Sequence, residues 1–174
     1  MTQKRIKDWY KLSGKQFWFL CIYFVSLFTV AIVITYQVLL YENLFSDISI
    51  SEIGIWGGIG SALIGCTVFY LRKLYKAAIN DRFKHPANRT ESIRSYGVFL
   101  YYFLRPFFAV AFSFFIHISL KAGVSIITVE EPILDKGFIY LILFLSFFAG
   151  FGAGDMLTML EKRTKNVISK FIEQ

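Results

Sequence analysis

The sequence predicts an all-α integral membrane protein with four transmembrane helices, and three observations carry that expectation. First, four apolar runs divide the chain, at 17–40, 53–71, 98–120 and 138–154, in a composition that is 56% hydrophobic and holds 20 Phe. An apolar helix needs about 20 residues to cross a hydrocarbon layer roughly 30 Å thick. The fourth run is the shortest, and Met156, Leu157 and Leu160 can extend it. Second, the 19 Lys and Arg residues are unevenly placed. Apart from Arg105, Lys121 and Lys136, all lie in the N-terminal tail, the middle connector or the C-terminal tail. Third, the other two connectors are acidic. One carries Glu42, Asp47 and Glu52 without a base, and the other sets Glu130, Glu131 and Asp135 against Lys121 and Lys136. Short basic segments stay on the cytoplasmic side of a membrane. Both termini are therefore expected inside, N-in and C-in, in a bacterial inner (cytoplasmic) membrane.

The first span follows a basic start of Lys4, Arg5, Lys7, Lys11 and Lys15. It is too long for the apolar region of a signal peptide, about 7–15 residues, and no small-residue cleavage site follows it. It reads as an uncleaved helix over about 17–40. Cys21 and Cys66 both fall inside runs, so they are expected as buried thiols and not as a disulfide or a zinc site.

The second span, about 53–71, is rich in small residues. Gly54, Gly57, Gly58, Ser61 and Gly65 form small-xxx-small pairs, which let helix backbones approach closely in lipid. Its partner is open on sequence grounds: another span of the same chain, or a second subunit. Leu71, Leu74, Tyr75, Ala78 and Ile79 then repeat with helical spacing, while Arg72, Lys73 and Lys76 take the other faces. The span is expected to continue into the cytoplasm as an amphipathic helix over about 72–84. His85-Pro86 would end it, because the residue before proline resists helical dihedrals. Thr90 has the chemistry of an N-cap for the next helix.

The third span, about 98–120, holds the charge that the basic pattern does not place. Arg105 is followed directly by Pro106. If spans three and four form an antiparallel hairpin, Arg105 and Asp155 are equidistant from Glu130, in the loop at 128–132, and fall at one depth. A charge in hydrocarbon is costly unless paired or able to reach the interface. Arg105 could pair with Asp155, reach lipid phosphate, or serve an ion path. An alternative starts the helix at Pro106, since proline suits a first turn, and lays 95–104 along the interface. His117 shares a face with Pro106, Ala109, Val110 and Ser113. A structural hydrogen bond is its ordinary role, and proton sensing the sharper one.

The fourth span, about 138–157, is expected to run on as an amphipathic helix over about 158–172. Met156, Leu160, Val167 and Phe171 lie near one face, with Lys162, Arg163 and Lys165 mostly off it. The two basic extensions could lie on lipid, pack on each other, form an oligomer core or dock a cytosolic protein. Trp18, Tyr41, Tyr70, Tyr75, Tyr101 and Tyr102 read as interfacial aromatics. No connector is long enough for a core of its own, so residues 1–174 form a single domain.

These features narrow the function. The net charge of +7 is accounted for by the positive-inside bias and anionic lipid, without direct nucleic-acid binding. No phosphate loop, zinc spacing, catalytic carboxylate pair or nucleophile set appears, so no enzyme and no cofactor are expected. The stretches "YLRKLYKAAINDRF", "YYFLRPFFAVAFSFFIH" and "FLSFFAGFGAGDMLTMLEKRTKNV", set in a four-span plan with both ends inside, resemble the KwaA membrane subunits of Kiwa anti-phage defence systems. The likeness is one of layout along the whole chain. It implies a homo-oligomer, a tetramer, that detects membrane disturbance during phage infection and has a soluble DNA-binding partner on the cytoplasmic face. The resulting expectation is a non-enzymatic sensor and scaffold, bound to lipid and to itself, that docks a cytosolic effector through Arg72, Lys73, Lys76, Lys162, Arg163 and Lys165. The alternative is an oligomeric pore, holin-like or a channel, lined by residues such as Ser26, Thr29, Thr35, Ser113 and His117.

Overall fold

A computed structural model describes residues 12–41, 49–79, 89–127 and 136–172. These residues form four α-helices: α1 (Gly14–Tyr41), α2 (Ile50–Ile79), α3 (Arg89–Ile127) and α4 (Lys136–Ile172). Each holds a stretch long and apolar enough to cross a membrane, namely Gly14–Leu40, Ile50–Lys76, Tyr96–Ser125 and Lys136–Leu157. The chain is thus read as a multi-pass membrane protein.

Local sequence sets two of the helix starts. Ser13 precedes α1, and its N–H donates to Gln16 Oε1 at 3.0 Å, while Phe17 N donates to the Ser13 carbonyl at 2.9 Å. Ser49 precedes α2, and its Oγ and carbonyl accept from Glu52 N at 3.3 and 3.0 Å. Both starts have the Ser-x-x-Gln/Glu pattern of a capping box, which satisfies backbone donors that a helix N-terminus leaves without partners. At α3 the outcome differs from two sequence expectations. The helix is already formed at Arg89, so Thr90 lies within its first turn, and it runs unbroken through Pro106. Helices in lipid tolerate an internal proline because packed neighbours and local adjustment re-satisfy the backbone. The His85-Pro86 stop lies outside the described residues.

The helices alternate in direction, and α2 touches all three others. Gly57 meets Val38, and Phe24 stacks on Tyr70, so α1 and α2 run antiparallel. Ser113 meets Ser146, and His117 meets Phe138, so α3 and α4 are antiparallel as well. Gly54 faces Ile142 at one end and Tyr70 faces Gly154 at the other, so α2 and α4 run parallel in contact along the span. Helix α1 meets α3 through the rings of Phe19 with Phe99 and Tyr23 with Phe103, and the Tyr23 hydroxyl donates to the Phe103 carbonyl at 3.3 Å.

Small residues are buried where the helices approach most closely. Ala62, Cys66, Ala109, Ala149 and Ala153 are buried, with Phe24, Tyr70 and Tyr102 filling the end toward which α2 and α4 run. What lies outside is large: Trp18, Ile22, Phe107, Phe115, Ile118, Phe144 and Phe148 are exposed. In lipid no hydrophobic force drives helices together, so close packing of small residues and hydrogen bonds must do it. The large apolar side chains suit acyl chains.

Candidate functional site

The closest packing lies between α2 and α4. A methyl group added at Gly65 would collide with the Phe147 backbone, and one at Gly150 with the Ala62 backbone. At Gly58 the added carbon would stand 2.7 Å from Ser113 Oγ and 2.9 Å from Ile142. Gly54 is equally tight against Ile142, and Gly57 faces both Val38 of α1 and Leu143 of α4. Ser61 Oγ donates to the Leu143 carbonyl at 2.5 Å. Gly54, Gly57, Gly58, Ser61 and Gly65 therefore all pack within the chain, against α1, α3 and α4.

Two polar levels cross this apolar interior. At the first, His117 is buried and its Nε2 lies 3.1 Å from Ser51 Oγ. Its ring meets Phe138 edge-on at 5.8 Å. One turn away, Ser113 and Ser146 share a hydrogen bond of 3.1 Å. This level ties the start of α2 to α3, and α3 to α4. His117 Nδ1 is buried without a partner.

The second level lies toward the opposite end. Arg105 is only 5% exposed. Its guanidinium carbon stands 3.9 Å from the Tyr101 ring centre and 5.8 Å from that of Tyr70. A cation over an aromatic face is attracted by the ring quadrupole, more so when desolvated. Arg105 Nη1 and Tyr70 Oη are both buried and make no hydrogen bond. Both groups converge on Gly154. Asp155, the carboxylate that sequence symmetry brings to this depth, is exposed. Arg105 and Asp155 thus reach a common level, but Arg105 faces the interior and rings, whereas Asp155 is exposed.

The basic side chains at this end divide. Arg72, Lys76 and Arg163 are exposed. Lys73 is folded back, with Nζ 4.3 Å from the Phe69 ring centre. Lys162 and Lys165 belong to the α4 helix. The polar residues weighed for a pore do not share a face. Ser26 and Thr29 are exposed on α1 and bond to their own helix backbone, Thr35 faces Gly60, and Ser113 and His117 are inside. Cys21 and Cys66 are free thiols. Among the described residues no cluster of His, Cys, Asp or Glu could hold a metal ion.

Sequence reasoning did not single out Ser51, Ser146, Gly154 or the role of Tyr70 and Tyr101. Tyr70 and Tyr101 carry a signal that fits two roles, since the same amphipathic ring suits an interface and a buried cation. No known protein family, curated protein or solved structure matches this chain.

Proposed function

We propose that this protein is a non-enzymatic membrane sensor and scaffold, with both termini in the cytoplasm, that assembles with copies of itself and docks a cytosolic protein on its basic face. One observation carries the reading. The parallel pair α2 and α4 packs backbone to backbone through the span, and both helices continue past their apolar segments at the same end, to Ile79 and Ile172. That end carries exposed Arg72, Lys76 and Arg163. By the positive-inside rule it is the cytoplasmic end. The extensions are amphipathic in sequence, with Lys162 and Lys165 adding to the charge.

The physical route is hydrophobic mismatch. Thinning or stretching the bilayer costs fractions of a kcal/mol per Å of mismatch, and several subunits add their shares. The outer helices α1 and α3 expose large apolar side chains to lipid, and the glycine-packed pair can pass a tilt to the extensions. The resemblance to KwaA makes phage attack the stimulus to test first, a tetramer the assembly, and a DNA-binding protein the partner. The test is a pull-down from cells with the tagged full chain. Deleting residues 162–174 and neutralising Arg72, Lys73 and Lys76 should release the soluble partner while the protein stays in the membrane. If every soluble partner remains bound, the docking reading fails.

A further inference from the structure

His117 closes the bundle at the end where α2 and α4 begin. Its two contacts across the interior, Ser51 and Phe138, lie within the first turns of those helices. The residue is only 5% exposed. Nε2 lies 3.1 Å from Ser51 Oγ, while Nδ1 is buried without a hydrogen-bond partner. A neutral imidazole carries one N–H and one lone pair. Assigning the N–H to Nε2, which then donates to Ser51 Oγ, leaves only a lone pair unmet at Nδ1. The other tautomer would bury an N–H without an acceptor, the rarer case.

A second proton would have to go on Nδ1. That nitrogen looks onto Gly54, where an added carbon would stand 3.6 Å from it, and glycine has no side chain to accept from it. Three charged side chains lie on the elements around the ring: Glu52 on α2, Lys121 on α3 and Lys136 on α4, all exposed. Lys121 is four residues along the same helix, the spacing of direct neighbours. An imidazolium here would be a buried charge beside a like charge, which is strongly unfavourable.

We propose that His117 is a proton-operated latch. Neutral, it ties the start of α2 to the packed pair α3 and α4. On taking a proton from the water at this end, it leaves the interior, and the three helices part there. The input is chemical and does not depend on bilayer strain or on the docking of a partner.

The test uses the purified full-length chain in an uncharged detergent, from about pH 8 to about pH 5, across the ordinary imidazole range. In a chain freed of Cys21 and Cys66, Ser146→Cys puts a thiol one turn below the latch, at a position that is 0% exposed. Its rate of modification by a small methanethiosulfonate is divided by the rate in the same chain carrying His117→Gln. That change keeps an N–H for Ser51 and takes no proton, so the ratio cancels the thiol's own pH dependence. Opening that binds one proton makes the ratio rise by up to about tenfold per pH unit on acidification. The ring signal of His117, told from that of His85 in 13C-histidine spectra by its loss in His117→Gln, should change with the same midpoint. Glu52→Gln should keep the rise. A flat ratio would overturn the proposal. So would a His117 ring that takes its proton while the thiol stays protected, or loss of the rise in Glu52→Gln, which would make Glu52 the titrating group. If His117→Gln does not fold, His85→Asn leaves one ring signal, and its coincidence with thiol exposure, measured against free cysteine, decides the question.

Discussion

Glycines in this bundle are not interchangeable, and their differences can be measured. Gly65 has the Phe147 backbone where a side chain would go, whereas Gly152 has nothing within 4 Å. Backbone cannot move aside as a side-chain tip can. Gly65→Val should therefore destabilise by about 3 kcal/mol or prevent folding, the upper range for overpacking a core. Gly152→Ala should be tolerated, with stability unchanged or raised by up to about 1 kcal/mol, as for a mid-helix glycine with free space beside it. Unfolding in mixed detergent micelles separates the two. Hydrogen bonds in the interior should be weaker levers than these contacts. The coupling between His117 and Ser51, from a double-mutant cycle with His117→Ala and Ser51→Ala, should be about 0.6 kcal/mol, the usual value for a pair within lipid. A coupling near zero would mean that the 3.1 Å approach is incidental.

The pairing of α3 with α4 sets which polar groups can meet. Ser113 and Ser146 lie opposite one another with oxygens 3.1 Å apart, within the reach of a disulfide between the same backbones. With Cys21 and Cys66 replaced by Ser, the pair Ser113→Cys and Ser146→Cys should cross-link almost completely on mild oxidation. His117→Cys with Ser146→Cys, one turn out of register, should not. A slipped hairpin would reverse these yields. Much of this arrangement was legible in the chain. Four spans follow from apolar length alone, because backbone in lipid has few alternatives to the helix. The level shared by Arg105 and Asp155 follows from their symmetric placement about the loop at 128–132. Their facing does not follow, since a rotation of about 100° per residue separates Gly154, which meets Arg105, from Asp155, which is exposed. The path of α3 through Pro106 was equally hidden, because proline suits a first turn and an internal turn supported by neighbours. Ser51 lies before the apolar run at 53–71, so nothing local pointed it toward His117.

The molecule turns many of its large apolar side chains outward on every helix, and this bears on how it sits in the bilayer. Trp18, Tyr36, Tyr96, Phe115 and Phe144 are all exposed, so the sides of the bundle offer little to fix its direction across the membrane. Charge is left to do it. Arg72, Lys73, Lys76 and Arg163 lie toward one end of the helices, and in sequence the remaining bases of 72–94 and 162–170 adjoin them while Glu42, Asp47, Glu130 and Glu131 belong to the other two connectors. Each Lys or Arg near an anionic inner surface adds about 1 kcal/mol of attraction, with the 72–94 group between the second and third spans and the 162–170 group after the fourth. In a chain freed of Cys21 and Cys66, a cysteine at Lys84 or Gln174 should react with a membrane-impermeant maleimide only after permeabilisation. A cysteine at Asp47 or Glu130 should react in intact spheroplasts. Neutralising Arg72, Lys73, Lys76, Arg82, Lys84, Arg89 and Arg94 together should weaken this segregation, so that label appears at the middle connector from both sides. Full labelling of the Lys84→Cys chain from outside, with the other bases intact, would reverse the topology. It would also put the basic ends of α2 and α4 out of reach of any cytosolic partner.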